Sequence, residues 1–232
     1  MSPFLTEYIS FVLISHRKQF IYVKNVKVAG TSVEAFFERF CLDPSEPYVQ
    51  KEEVPLSDTV YGIRSLRLSF ENEEKLPLYP FSSSDPYYNH MCIKEIQNRL
   101  GDEQTNRYFK FCVVRNPYDK IVSYYKMMRK YYFYVESFET FCETNPKTTD
   151  DFSRYSLGKT PVMDFYIRFE YLHDDLKTVC QLLDVPYDEQ YLPHYKKTRS
   201  NEKSYRSFYN EKTKKIIYER HKKEFDQFGY QF

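Results

Sequence analysis

Tryptophan is absent from the chain, and glycine is scarce, with five in 232 residues. So little glycine argues against a β-solenoid or a Gly-rich binding protein, both of which lean on its backbone freedom. No apolar run approaches the roughly 18 residues that span a bilayer as a helix. The nearest N-terminal candidate, Ile9-Ser10-Phe11-Val12-Leu13-Ile14, is short for a secretory h-region, follows Glu7 and lacks a basic flank. An excess of one charge is missing too. Thirty-four Lys+Arg face 33 Asp+Glu, a formal net charge of +1. No bulk field draws the chain to nucleic acid or to an anionic membrane, so neither is expected as a partner and any anion site must be local. The five cysteines are odd in number and scattered, with no C-x-x-C pair. They read as reduced thiols in a reducing compartment. No N-x-[ST] acceptor occurs, and the expectation is a cytoplasmic protein. No His, Cys and Asp cluster has zinc spacing, so no metal is expected.

What the chain has in abundance is aromatic surface. Twenty-four Tyr and 20 Phe bring the aromatic share to 19% within 41% hydrophobic residues. That is too rich for disorder, and the length suits one domain with a sizeable core. Residues 1–232 are therefore expected to form a single domain, with an insertion at about 41–89. Three apolar runs are each followed by a helical pattern, which predicts a central parallel sheet in an α/β fold. Phe20-Ile21-Tyr22-Val23 leads into the turn Lys24 to Gly30. The spelling Thr31-Ser32-Val33-Glu34 then predicts a capping box on a helix burying Val33, Phe36, Phe37 and Phe40. Tyr108 to Val114 runs into Arg115-Asn116-Pro117, with Asn116 as N-cap and Pro117 as first helical residue. That helix carries Ile121, Val122, Tyr125 and Met128. Phe165 to Phe169 precedes a helix from about Asp174 to Leu183. The stretch from Cys41 to Asn89, rich in Pro, Ser and Glu, holds a weak strand at Tyr61 to Leu68. A short helix from about Met91 to Leu100 follows, and one long helix is expected from about Asn210 to Gly229.

Two strand–helix turns carry chemistry. Lys24-Asn25-Val26-Lys27-Val28-Ala29-Gly30-Thr31-Ser32 delivers small residues and two hydroxyls to a helix N-terminus. Free N–H groups and the positive end of the helix dipole suit such a place to phosphate. The spelling is not Walker A, because the lysine precedes the glycine. Taken alone, it is equally an ordinary turn with a solvated lysine. Arg115-Asn116-Pro117-Tyr118-Asp119-Lys120-Ile121-Val122-Ser123 adds a planar fork for a second phosphate at Arg115 and a hydroxyl at Ser123. The competing view of these two is a surface arginine and a serine back-bonded to its own helix.

Val26-Lys27-Val28-Ala29-Gly30-Thr31-Ser32 resembles the 5′-phosphosulfate loop of sulfotransferases that use 3′-phosphoadenosine 5′-phosphosulfate, PAPS. The run Phe111 to Tyr125 resembles their 3′-phosphate motif. Within that family the chain is most similar to the branch of Golgi carbohydrate sulfotransferases and their soluble relatives. Tyr88-Asn89-His90-Met91 is similar to the segment that carries that branch's histidine base. Ile167 to Leu172 with Asp175-Leu176, Pro193 to Thr198 with Tyr205 to Tyr209, and Phe225 to Tyr230 resemble its later segments in order. Val26 stands where proline is common and Val28 where threonine is common, which removes one hydroxyl. Residues 41–89 match nothing in the family firmly and are the expected seat of acceptor choice.

The resemblance implies a P-loop-like three-layer α/β/α sandwich and sulfuryl transfer from PAPS to a saccharide or small-molecule acceptor, without metal. Lys27 would meet the bridging oxygen as charge develops on the leaving phosphate. Ala29, Gly30, Thr31 and Ser32 would hold the 5′-phosphate, and Arg115 and Ser123 the 3′-phosphate. Lys197 and Thr198 would close from the far side. His90 would be the general base, with His194 in reserve; His16, His173 and His221 have weaker claims. Arg64, Arg67 and Arg168 could meet an anionic acceptor, and Tyr124, Tyr125, Tyr131 and Tyr132 a ring, although solvated or packing roles suit all of these as well. Sulfuryl transfer asks for in-line geometry and neutralised charge rather than a protein nucleophile. A P-loop kinase would want lysine directly before the hydroxyl residue and a carboxylate for Mg²⁺ at a strand end, neither of which is spelled here. A non-catalytic nucleotide-binding module of the same fold remains the other reading.

Overall fold

The structure is a computed structural model and describes residues 12–51, 57–64, 90–131, 134–144, 150–193 and 204–232. Its centre is a pair of strands, β2 (Phe20–Val23) and β5 (Phe109–Val114), apolar on both faces except at Lys110. Continuous apolar runs of this kind suit strands covered on both sides. They pair in parallel with Tyr22 opposite Phe111 and Val23 opposite Cys112. β8 (Phe165–Arg168) joins the far side of β5, also in parallel, with Val113 opposite Ile167. These are the three strands expected from the sequence.

The sheet is mixed, however, not purely parallel. β1 (Leu13–Ser15) lies antiparallel on β2, with Ile14 opposite Ile21. β3 (Ser57–Thr59) and β4 (Gly62–Arg64) form a hairpin whose β4 is antiparallel to β1. The full order is β3-β4-β1-β2-β5-β8. β1 follows from the tight Ser15-to-Phe20 connection, which returns the chain beside itself and so forces antiparallel pairing. β4 falls within the weak strand expected at Tyr61 to Leu68. A separate ribbon pairs β6 (Ser156–Leu157) with β7 (Thr160–Pro161).

Alternation along the strands builds two cores. Phe20, Tyr22, Phe111, Val113 and Ile167 point to one face, where α1 (Gly30–Phe37) supplies Val33, Phe36 and Phe37. On the same face α6 (Leu172–Leu182) supplies Leu176, Val179 and Cys180. Ile21, Val23, Cys112 and Val114 point to the other face and meet Ile93 and Ile96 of α2 (Ile93–Leu100), with Tyr155 and Met163. Each fully buried Phe or Val contributes roughly 1.5–3 kcal/mol of transfer free energy. α3 (Asp102–Arg107) leads from α2 into β5. A third cluster joins α4 (Pro117–Tyr131) and α5 (Phe138–Thr144) to α7 (Glu211–Arg220) and α8 (Lys222–Phe228), through Ile121, Tyr125, Phe141, Ile217 and Phe225. Among the described residues the chain is thus α/β, with a six-stranded mixed sheet and eight α-helices.

Asn116 caps α4 as expected, its Oδ1 accepting the Tyr118 N–H at 3.0 Å, and Pro117 is the first helical residue. The expected C-terminal helix is two helices instead. It breaks at His221, whose carbonyl accepts the N–H groups of Glu224 and Phe225 and whose ring is buried against Glu224. α8 ends at Gly229, where a φ of 64° suits glycine.

Candidate functional site

The C-terminal ends of β2 and β5 lie side by side, so the turns that follow them share one edge of the sheet, the usual place for ligands in open α/β folds. The first turn, 24–29, enters α1 at Gly30 through two left-handed residues, Lys27 (φ 58°) and Ala29 (φ 62°). The expected capping box does not form. Ala29 occupies the N-cap without a side-chain bond, and its carbonyl takes the N–H groups of Ser32 and Val33. Glu34, cast as the partner in that box, instead reaches the buried Lys24 ammonium at 2.7 Å. The charge inside the fold outcompetes the exposed backbone donor. The N–H groups of Gly30 and Thr31 meet no acceptor among the described residues, as the first turn of a helix leaves them. The side chains of Thr31 and Ser32 are half-buried beside them. Gly30 has its own reason: a Cβ there would stand 2.9 Å from Lys24 Cγ and 3.4 Å from the Asn25 carbonyl oxygen.

Arg115 joins the second turn to the first. Its Nη1 donates to the Lys27 carbonyl at 2.8 Å, while Nε and Nη2 both donate to Asp119 Oδ2, at 3.0 and 2.9 Å. The guanidinium lies 4.0 Å above the Phe169 ring. Arg115 is therefore a buried tie between the turns as well as a candidate phosphate ligand. Removing it would take these donors from Asp119 and from the Lys27 carbonyl, so its role is not confined to a ligand. Asn116 N–H donates to Glu170 Oε1 at 2.8 Å, so the strand end is also held from β8's side. Ser123 is half-buried in α4, one turn beyond Asp119 and Lys120. Spacings of four and three residues make Ser123 the helical neighbour of Asp119 and of Lys120.

His90 also reaches the first turn. Its Nδ1 is 2.9 Å from the Lys24 carbonyl. A carbonyl only accepts, so Nδ1 carries the proton and Nε2 presents the lone pair. Burial pushes the imidazole down from 6.5 to about 3, reinforced by Arg154 and Lys24 and opposed by the Lys24 carbonyl bond and Asp151. The ring is neutral at pH 7, as a base must be. Its backbone, at φ 55°, is again left-handed.

The structure thus brings Lys27, the Gly30–Ser32 helix start, Arg115 and His90 around one sheet edge. Lys197, Thr198 and the reserve His194 lie outside the described residues, as do Tyr132 and all of 65–89, Arg67 included. Several of the other candidates have structural partners. His16 bonds Tyr108, His173 bonds Tyr187 and His221 bonds Glu224. Arg168 pairs with Asp175 at 2.7 Å, and the Tyr124 and Tyr125 rings pack tilted against Phe141. Sequence reasoning missed Lys24, Lys120, Asp151 and Arg154. Asp151 Oδ1 accepts the Val26 N–H at 3.1 Å across 125 positions, a contact no local spacing announces.

Among the described residues no group of three or more His, Cys, Asp or Glu could hold a metal ion, and no helix is long and apolar enough to cross a membrane. All five cysteines are free. The chain is 31% identical over 102 residues to an uncharacterized protein of Archaeoglobus fulgidus, a match covering 39% of this chain and 80% of the archaeal one. No family profile and no solved structure matches the chain.

Proposed function

We propose that this chain, which belongs to the same family as that archaeal protein, is a PAPS-dependent sulfotransferase acting on a saccharide or small-molecule hydroxyl. The observation that carries the reading is the convergence of two phosphate-suited turns and a neutral imidazole. Arg115 bonds the Lys27 carbonyl at 2.8 Å, and His90 bonds the Lys24 carbonyl at 2.9 Å. Beyond that convergence, the P-loop-like form of the α/β fold and the compartment are expectations drawn from the resemblance and the cysteines.

The residues at this edge fit a doubly phosphorylated nucleotide. The Gly30 and Thr31 N–H groups with the Thr31 and Ser32 hydroxyls take the 5′-phosphate at the positive end of α1. Arg115 and Ser123 take the 3′-phosphate, with Lys197 and Thr198 assigned to it by resemblance. Lys27 neutralises charge as the bond from sulfur to the phosphate oxygen breaks. The acceptor oxygen forms the new bond to sulfur, and its proton passes to His90 Nε2.

A second reading, a nucleotide-binding module without transfer, is favoured by one observation. Arg115 already directs three donors at Asp119 and Lys27. Calorimetry with 3′-phosphoadenosine 5′-phosphate without metal, followed by radiolabelled PAPS against a panel of hydroxyl acceptors, separates the two. Binding with transfer supports the sulfotransferase, and binding without transfer to any acceptor supports the module. No binding of either nucleotide overturns both, and binding of Mg²⁺-ATP instead overturns the sulfotransferase.

A further inference from the structure

A chain of buried charges runs beneath the first turn and is used by none of the chemistry above. Lys120 of α4 is fully buried, and its Nζ donates to Asp151 Oδ2 at 3.0 Å and to Glu224 of α8 at 2.9 and 3.1 Å. His221 Nδ1 lies 2.7 Å from the same Glu224 carboxylate. Asp151 Oδ1 takes Arg154 Nη1 at 2.6 Å and the Val26 N–H at 3.1 Å. Burial alone would raise the Asp151 carboxyl, but Lys120, Arg154 and the Val26 N–H hold it below its usual range. The carboxylate is ionised, and Lys120, Arg154 and the Val26 N–H all donate to it.

We propose that Asp151 is the positioning residue of the first turn, held by Lys120 and Glu224, so that the turn's conformation is set through α4 and α8. The inference rests on reading this turn as the phosphosulfate site. Lys27 sits in a left-handed backbone conformation that persists only when its surroundings fix it. Two bonds bracket it: Asp151 holds the N–H of the preceding Val26, and Arg115 holds its own carbonyl. Asn25 Nδ2 adds a third hold, on the Val113 carbonyl of β5 at 2.9 Å. Tying α4 to α8 needs only Lys120 and Glu224. Asp151 goes further and places one oxygen on the peptide next to Lys27. Misplacing a group by about an ångström can cost on the order of 10²-fold in rate, so this hold bears on catalysis through Lys27 without touching substrate.

The test compares Asp151→Ala, Asp151→Asn and wild type by amide hydrogen exchange and by steady-state sulfuryl transfer from PAPS. In Asp151→Ala, exchange across 24–32 should rise about tenfold or more while β5 and α6 keep their protection, as a local opening requires. kcat should fall about 10- to 100-fold with KM for PAPS changing less. Asp151→Asn keeps an oxygen for the Val26 N–H, so its turn should exchange closer to wild type than that of the alanine variant. Unchanged exchange at 24–32, or an equal rise throughout the chain with no rescue by asparagine, overturns the proposal. If the alanine variant fails to fold, Asp151→Asn and Lys120→Arg are compared instead, and an unaltered turn in both overturns it. Failure of the wild type to bind 3′-phosphoadenosine 5′-phosphate overturns the functional reading, while the exchange result still decides the role of Asp151.

Discussion

His90 gives the sharpest check on the site, because its proton affinity reports its geometry without any assay of activity. The folded imidazole is held at about 3 against 6.5 when unfolded. Between these values the unfolded chain takes up a proton that the folded chain refuses. The stability linked to His90 is therefore fully present above pH 6.5 and lost as pH falls through that window toward 3. One proton gives a slope of about 1.4 kcal/mol per pH unit. The ring is only partly shielded from water. A discount for solvent screening leaves about 1–2 kcal/mol lost between pH 6.5 and about pH 4.5. Urea unfolding of wild type and His90→Gln across this range isolates the effect, since other titrating groups are common to both. The stability difference should shift in favour of the glutamine variant as pH falls. A difference that stays flat, or an NMR titration of His90 near 6.5, would refute the buried Nδ1 bond to Lys24. Activity should accordingly persist below pH 6.5 rather than fall away at an ordinary histidine value. A bound nucleotide should raise the imidazole pKa, because its negative charge favours the imidazolium.

Three further outcomes follow from the same edge of the sheet. Lys27→Ala should lower kcat by about 10²–10³, as loss of a group aimed at developing charge does; steady-state kinetics showing only a higher KM would make Lys27 a binding residue. Arg115→Ala should weaken 3′-phosphoadenosine 5′-phosphate by roughly 10- to 150-fold in calorimetry. It should also destabilise the fold by about 2–4 kcal/mol, because the Asp119 carboxylate and the Lys27 carbonyl lose the charged donors that Arg115 supplies. Urea unfolding at wild-type stability would show that the tie between the turns is not kept in solution. Gly30→Ala should cost about 1–3 kcal/mol despite alanine's better helix propensity, since the added Cβ meets Lys24 Cγ at 2.9 Å. A thermal midpoint equal to or above wild type would mean that Lys24 yields.

Local pattern alone determined the parallel strands β2, β5 and β8 and the apolar faces of α1 and α4. It also determined the Asn116-Pro117 helix start, because each is written in residues that are neighbours along the chain. The two phosphate-suited turns were legible for the same reason: a strand end, a helix N-terminus and their polar residues are contiguous. Three features were decided only by tertiary structure. Ser15 to Phe20 folds β1 back against β2, and that one tight connection makes the sheet mixed. Glu34 leaves its expected capping role because Lys24, ten residues away, is buried beside it. Local spelling cannot weigh a backbone donor exposed to water against an ammonium removed from it. Asp151 meets Val26 across 125 positions and Lys120 meets Glu224 across 104. Such pairs carry no periodicity, since what joins them is the low-dielectric space enclosed after the helices pack, where an unpaired charge is too costly to leave alone.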